Sequence, residues 1–460
     1  MKKNKRILAF LLALVICLTF SPIKGETLNT AFAKGNNSYE KVKIDSKYAV
    51  VIEANSGQVL YGKNETHKMY PASTSKVMTA IVALENGKPT DMLTVSENAL
   101  KGQQDNGAHI GLKKGEKISL KDCLCALWIE SANDAAITIA ENIAGSEEEF
   151  AKLLNEKAKE LNLENSHFVT PNGLYHKEHY TTPKDLAMIT AYALKNPDFD
   201  ELINTHKHEL PPTNKRKDPV TIYTNHPMAP YKYNAYPYII GGKTGYVPES
   251  KCNMITVAEK DGLRLISITG KTNSLYTAAE DAKILLDTGF NSYKKHIITR
   301  DKNNFTLKQT LENGNYATRK GYVRDGSISI VLPKGVPQTE ISFKLNEREL
   351  MFPITKGTEI GSVDAIYQNQ VVGSSPILAS KDMSFFLYAV YSIFKVILYV
   401  IPILLIIFIL LVLRNKQRKK KRRKKLKGNR PYNPHGPNEN RVKSSEVKAH
   451  KTKGNRTTKK

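Results

Sequence analysis

Cysteine is scarce in this chain, with four in 460 residues. Cys17 lies in an N-terminal apolar run, which leaves Cys123, Cys125 and Cys252. Three cysteines do not make a disulfide framework, although one pair could form in an oxidising compartment. All three sit in apolar patterns and read better as small buried side chains. Metal-ligand spacing is missing as well. His176/His179 and His206/His208 fall in polar, loop-like stretches without a partnering cysteine or acidic cluster, so neither metal nor cofactor is expected. A basic body is the third absence. The formal charge is +25, yet residues 414–460 hold 20 Lys/Arg against Glu439 and Glu446, and the first 33 residues hold five basic side chains against Glu26. Residues 34–383 carry a net charge of only +2. That middle has no electrostatic footprint for nucleic acid, and no nucleic-acid partner is expected.

The two ends read as addresses. A basic "KKNKR", the apolar run 7–20 and "AFA" at 31–33 make a secretory signal over residues 1–33. Near the other end, residues 396–413 are a continuous apolar run of 18, preceded by the aromatic "SFFLYAVYSIF" and followed by "RNKQRKKKRRKK". This is about the minimum for crossing a bilayer, and the basic flank belongs on the cytoplasmic side. The expectation is an interfacial segment and transmembrane helix over 384–413, a lipid bilayer as partner, and a disordered cytoplasmic tail over 414–460 that touches anionic lipid. The body would then be extracellular. At roughly 350 residues it should form two domains.

Periodicity divides that body. "YAVVIEANSGQVLYGKN" alternates and turns at "NSG" as a hairpin. Val77, Met78, Ile81, Val82 and Leu84 recur at helical spacing from Ser73 to Glu85, with Asn86 and Gly87 as the stop. Further helical patterns cover 120–129, 132–144, 147–161, 184–194 and 276–287, and 251–270 is two β runs joined at Asp261 and Gly262. Helices bracketed by antiparallel strands predict an α+β domain over 34–290. Short alternating strands with turns at "RDG", "PKG" and "TKG" predict a small all-β domain over 291–380.

One short stretch carries chemistry. In "PASTSKVMTA", Ser73 and Lys76 are three apart on a helix that Pro71 helps to start, which puts the lysine amine within reach of the serine hydroxyl. A nucleophile with a base in reach and free first-turn N–H groups around it is how serine is activated where no histidine serves. The spacing alone is cheap: Ser-x-x-Lys occurs six times, and an isolated instance is usually a capping serine beside a solvated lysine. The company it keeps is not cheap. "SAN" at 131–133 and "KTG" at 243–245 follow in order, in loop and strand contexts, and the three together are the signature of serine β-lactamases and penicillin-binding proteins.

With "ANSGQVLYGKN", "GAHIGLKKGEKISLKD", "ESANDAAITIAENIAG", "HFVTPNGL" and "GGKTGYVPES" in the same order, the sequence resembles the low-molecular-mass penicillin-binding proteins that act as serine-type D-alanyl-D-alanine carboxypeptidases. The likeness covers about 48–287 and continues more loosely to about 380. Ala132 stands where the family usually has glycine, and a full span replaces its usual amphipathic anchor. The resemblance implies a transpeptidase-type fold, an antiparallel sheet with helices on both sides. It implies acylation of Ser73 by a peptidoglycan stem peptide ending in D-Ala-D-Ala, with β-lactams as covalent inhibitors. Lys76 would be the base and Ser131 the proton relay. Asn133, Lys243, Thr244 and Gly245 would hold substrate, and the N–H groups of Ser73 and Tyr246 would form the oxyanion hole. Two rival readings stay open: a β-lactamase, for which Glu160 and Glu164 are the available acids, and a non-catalytic peptidoglycan-binding membrane scaffold.

Overall fold

A computed structural model describes residues 42–104, 107–299, 305–310, 316–347, 354–382 and 385–427. The signal segment and the tail beyond residue 427 lie outside the described residues. The central sheet is built from β1 (Tyr48–Glu53), β2 (Val59–Lys63), β7 (Ile239–Val247), β8 (Lys251–Lys260) and β9 (Leu263–Thr272), in the order β2-β1-β9-β8-β7, with antiparallel pairing throughout. Two further antiparallel pairs, β3 (Met92–Thr94) with β4 (Lys117–Ser119) and β5 (Lys207–Leu210) with β6 (Val220–Tyr223), lie in the long insertion between β2 and β7.

The near-continuous apolar run of β1 follows from burial on both faces. Val50 and Ile52 join one core with Ile255, Ile266 and Ile268, whereas Ala49 and Val51 join a second with Met254 and Leu265. Successive strand side chains point to opposite faces, so a sheet with helices on each side leaves no solvent position for a polar residue. Ile52, 0% exposed, illustrates the stakes, since burying such a side chain is worth about 1.5–3 kcal/mol.

The first core is covered by α1 (Lys76–Asn86), α2 (Leu120–Cys125), α3 (Asn133–Ala144), α4 (Glu147–Glu160), α5 (Pro183–Ala193) and α6 (Pro197–Ile203). The second is covered by α7 (Leu275–Ser292) through Ala278, Ala282, Leu285 and Leu286. Helix α1 is buried from Lys76 through Ala83 and runs through the middle of the helical layer. Cys123, Cys125 and Cys252 are free and buried.

After α7 the architecture becomes all-β. Strand β10 (Tyr293–Thr299) pairs with β13 (Ser327–Pro333), and β11 (Phe305–Thr310), β12 (Tyr316–Val323), β14 (Ser342–Glu347), β15 (Glu359–Tyr367) and β16 (Gln370–Ala379) form a sheet in the order β11-β12-β16-β15-β14. The described residues from 42 to Asp382 nevertheless cluster as one compact unit, so the change of architecture near residue 290 is not a break in packing.

The second unit contains α8 (Phe385–Lys427), with Pro402 inside it. Among the described residues no helix is long and apolar enough to cross a membrane; the span expected at 396–413 falls within α8 and includes positions whose side chains lie outside the described residues.

Candidate functional site

The turn that carries Ser73 is shaped before any α-helix begins. Ala72 takes a left-handed φ of 51°, residues Ala72–Ser75 form a 3-10 turn, and α1 starts only at Lys76. The expected helix start at Ser73 is therefore tighter than an α-turn. Its polar neighbours are spent on holding it: the Thr74 hydroxyl donates to the Pro71 carbonyl at 2.7 Å and the Ser75 hydroxyl to the Ala72 carbonyl at 3.0 Å. Asn253 on β8 donates to the carbonyls of Tyr70 at 2.8 Å and Pro71 at 3.2 Å, which fixes the turn against the sheet.

Lys76 is 0% exposed, and its Nζ has four oxygen neighbours: Ser73 Oγ at 2.9 Å, Ser131 Oγ at 3.5 Å, Asn133 Oδ1 at 2.8 Å and the Asn172 carbonyl at 2.6 Å. None is a carboxylate. Burial pushes the Lys76 ammonium well below the ordinary lysine range, the charge of Lys243 pushes the same way, and Asp134 opposes both.

Ser131 reaches the amine from the far side because the chain changes direction there. The π-helical turn Ala126–Glu130 ends on Ser131 in the left-handed region, φ 62°, and α3 begins two residues later. Asn133 donates its backbone N–H to the Ala108 carbonyl at 2.7 Å. The buried Asp134 carboxylate accepts from the N–H groups of Leu112 at 3.0 Å and Ile110 at 3.3 Å, so the 108–112 segment is tied to the start of α3.

The third wall is β7, an edge strand whose one partner among the described residues is β8. A Cβ on Gly245 would lie 2.9 Å from the backbone nitrogens of both Ser73 and Thr74, a distance real Cβ atoms do not show, so only glycine lets the strand approach the turn this closely. Lys243 is 2% exposed, its Nζ donates to the Thr244 carbonyl at 3.1 Å, and burial lowers its pKa to about 7 against the opposing pull of Glu130. Thr244 is half-buried and Tyr246 exposed on the same strand.

All the residues anticipated from sequence thus come to one place: Ser73 and Lys76 on the turn and α1, Ser131 and Asn133 opposite them, Lys243 to Tyr246 on the edge strand. Sequence reasoning missed the floor. The Asn172 carbonyl is the shortest contact of Lys76, Pro171 accepts from the Thr79 hydroxyl at 2.7 Å, and Gly173, φ 79°, fits where a Cβ would stand 2.2 Å from the Ala72 carbonyl. The quoted "HFVTPNGL" was the available signal, but a backbone carbonyl has no residue type to announce it.

His179 lies in its loop-like stretch but is buried, its Nδ1 accepts from the N–H groups of Val169 and Thr170 at 3.2 Å each, and burial lowers its pKa to about 3. It is a neutral clamp for this loop. His208 likewise has an acidic partner, its Nε2 lying 2.7 Å from Asp122 Oδ1, and the hydrogen bond to Asp122 raises its pKa to about 10. Among the described residues no group of three or more His, Cys, Asp or Glu could hold a metal ion.

The carboxylates weighed for a β-lactamase are turned elsewhere. Glu160 pairs with Lys157 on the surface end of α4, and Glu164 is exposed.

Comparisons with known proteins agree with this geometry. The sequence profile of the S11 peptidases, described as D-alanyl-D-alanine carboxypeptidase, matches residues 35–273. The D-alanyl-D-alanine carboxypeptidase DacF of Bacillus subtilis is 31% identical over 386 residues, which cover 82% of this chain and 95% of the relative. DacC of Escherichia coli is 27% identical over 77% of this chain and 88% of its own. Among solved structures, penicillin-binding protein 5 from Haemophilus influenzae aligns with a TM-score of 0.58 over 74% of this chain and 98% of its own, and at 24% identity that likeness concerns the fold. A mutant of the Streptomyces K15 DD-transpeptidase aligns with a TM-score of 0.51 at 26% identity, over 55% of this chain and 100% of its own. The chain belongs to the S11 family of serine-type D-alanyl-D-alanine carboxypeptidases, the fold and chemistry of penicillin-binding proteins.

Proposed function

We propose that Ser73 is the acylated nucleophile of this carboxypeptidase and that Lys76, neutral at rest, is its base. The carrying observation is the fully buried Lys76 amine 2.9 Å from the Ser73 hydroxyl. A neutral amine has two N–H groups and one lone pair. The two short contacts, to the Asn172 carbonyl and Asn133 Oδ1, take both N–H groups. The lone pair is then left for the Ser73 O–H. Full burial first, and then the second cation Lys243, both favour the neutral amine.

The roles follow in sequence. Ser73 Oγ attacks the carbonyl of the penultimate D-alanine and its proton passes to Lys76. The developing oxyanion lies between the N–H groups of Ser73 and Tyr246, donors worth about 3–4 kcal/mol each in such a place. Ser131, the other hydroxyl near Lys76 Nζ, relays a proton to the leaving amine. The bond to the terminal D-alanine breaks, and water hydrolyses the acyl-enzyme. Lys243 and Thr244 receive the free terminal carboxylate, which accounts for removal of one residue from the end. Gly245 and the unpaired edge of β7 let the stem peptide lie as an added strand. A β-lactam enters the same groove and stops at the acyl-enzyme. The decisive experiment is D-alanine release from a peptide ending in Lys-D-Ala-D-Ala, compared between the full chain and Ser73→Ala.

Acidity gives a second test. The Lys76 lone pair is gained as pH rises through that group's lowered pKa, whereas the Lys243 charge is present below about 7 and lost above it. In the free enzyme kcat/KM is therefore expected to rise and then fall across neutral pH, as values belonging to the coupled pair. Lys243→Arg keeps its charge throughout. It should shift the alkaline limb upward by more than one pH unit whatever its absolute rate. An alkaline limb that stays in place removes Lys243 from the role of carboxylate-binding cation.

We also propose that the protein is exported by its N-terminal segment and held in the membrane by residues 396–413, with the catalytic unit on the extracellular face and the basic tail in the cytoplasm. The support is the 18-residue apolar run and the basic block immediately after it. On carbonate extraction of cells the full chain should stay with the membrane pellet, and a chain ending at residue 382 should appear in the soluble fraction. Equal partitioning of the two would refute the anchor.

A further inference from the structure

Beside the turn that carries Ser73, with Met69 and Tyr70 in its wall, lies a cavity of about 360 Å³ that none of the roles above uses. Lys68, Lys177 and Lys271 line it, together with Tyr70, Tyr180 and Glu249. The lysines come from three separate segments: the approach to the turn, the loop after Gly173 and the end of β9. Lys68 Nζ stands 3.9 Å over the Tyr180 ring, and Tyr70 meets Tyr175 edge-on at 5.0 Å. Among the described residues no ion pair involves any of the three lysines. Three cations facing one acid make a cavity that selects an anion.

Its position says which anion. With the terminal carboxylate at Lys243 and Thr244 and the scissile bond at Ser73 and Gly245, the upstream part of the substrate must continue past Tyr246 and Val247. Glu249 is three residues beyond Tyr246, in the turn that closes β7 onto β8. On the turn side Tyr70 is three residues before Ser73. A peptide lying along β7 therefore brings its second or third residue upstream of the scissile bond to the mouth of the cavity.

We infer that this cavity is a subsite for a carboxylate borne by the substrate peptide two to three residues upstream of the bond that is cut. Lys68, Lys177 and Lys271 bind that carboxylate, and Tyr70 and Tyr180 flank the chain that carries it. The inference rests on the carboxypeptidase reading for its direction of approach. It adds a reason for the enzyme to prefer a long acidic stem over a short neutral one.

A matched pair of substrates isolates the charge: Ala-γ-D-Glu-Lys-D-Ala-D-Ala, and the same peptide with the γ-D-Glu carboxylate amidated. For the full chain kcat/KM should favour the carboxylate peptide by about tenfold, mostly through KM, as expected for a charge-assisted contact. In Lys68→Gln/Lys177→Gln/Lys271→Gln the ratio should fall to near one, and Lys177→Glu should invert it. A wild-type ratio near one, or a preference that survives the triple substitution, overturns the subsite. An equal loss of rate on both peptides, which leaves their ratio where it was, likewise overturns it and marks general attraction. Failure of the full chain to release D-alanine from either peptide would count against the carboxypeptidase reading instead. In that event binding of Ala-γ-D-Glu-Lys, which has no scissile bond, to Ser73→Ala decides the matter by calorimetry. About tenfold weakening on amidation supports the subsite, and equal binding overturns it.

Discussion

Ser73→Ala should take up no labelled penicillin and should lower D-alanine release by roughly 10⁴- to 10⁶-fold, the range seen when a covalent nucleophile is deleted. The substitution removes one oxygen and leaves the rest of the site in place. Lys76 keeps Asn133 Oδ1 and the Asn172 carbonyl as partners, and the turn keeps the Thr74 and Ser75 hydroxyl bonds. Unfolding temperature should stay within a few degrees of the parent, and intact-protein mass spectrometry should show the antibiotic adduct on the parent alone. Labelling of the alanine variant at the parental rate would move the nucleophile elsewhere and with it every role assigned here. A parent that traps no drug would favour a binding scaffold that kept the fold.

Lys76→Met is the second large effect, and it separates activation from presence of the nucleophile. Methionine has nearly the same length and suits a buried position, while removing the lone pair. A positioned general base is worth about 10²- to 10⁴-fold, so the acylation rate by penicillin should fall by about 10³-fold with Ser73 intact. Two buried acceptors, Asn133 Oδ1 and the Asn172 carbonyl, lose their donor, and each orphaned group costs about 1–3 kcal/mol. The variant should therefore unfold several degrees lower. Residual acylation should increase with hydroxide across alkaline pH, because solvent then does what the amine did. A variant that acylates within about threefold of the parent would show that Lys76 only fills space.

Much of the architecture was legible before any coordinates. The helical periods at 132–144 and 147–161 match α3 and α4 to within a residue, and 251–270 folds as the β8–β9 hairpin. These elements have strong one-sided or two-sided apolar patterns, and local pattern decides them. Two readings differed for a shared reason. Strand β7 runs Ile239–Val247, where only the strand context of "KTG" was read, and helix α6 runs Pro197–Ile203, which was not marked. The first is rich in glycine for close approach, and the second is barely two turns. Their residues answer to neighbours, Ser73 and Phe199's core partners, rather than to a period.

What the sequence by itself determined is the chemistry: a serine and a lysine one turn apart, then "SAN", then "KTG", in an order that belongs to acyl-serine enzymes. Residue type and spacing are enough for this because i and i+3 share a helix face whatever surrounds them. Tertiary structure alone decided what makes those residues work. The burial of Lys76, the closeness of Lys243, the Asn172 carbonyl beneath the amine and the lysine-lined cavity beyond Tyr246 all join segments distant in the chain. Burial and distance set the protonation of an amine, and neither is a property of a residue until the chain has folded around it.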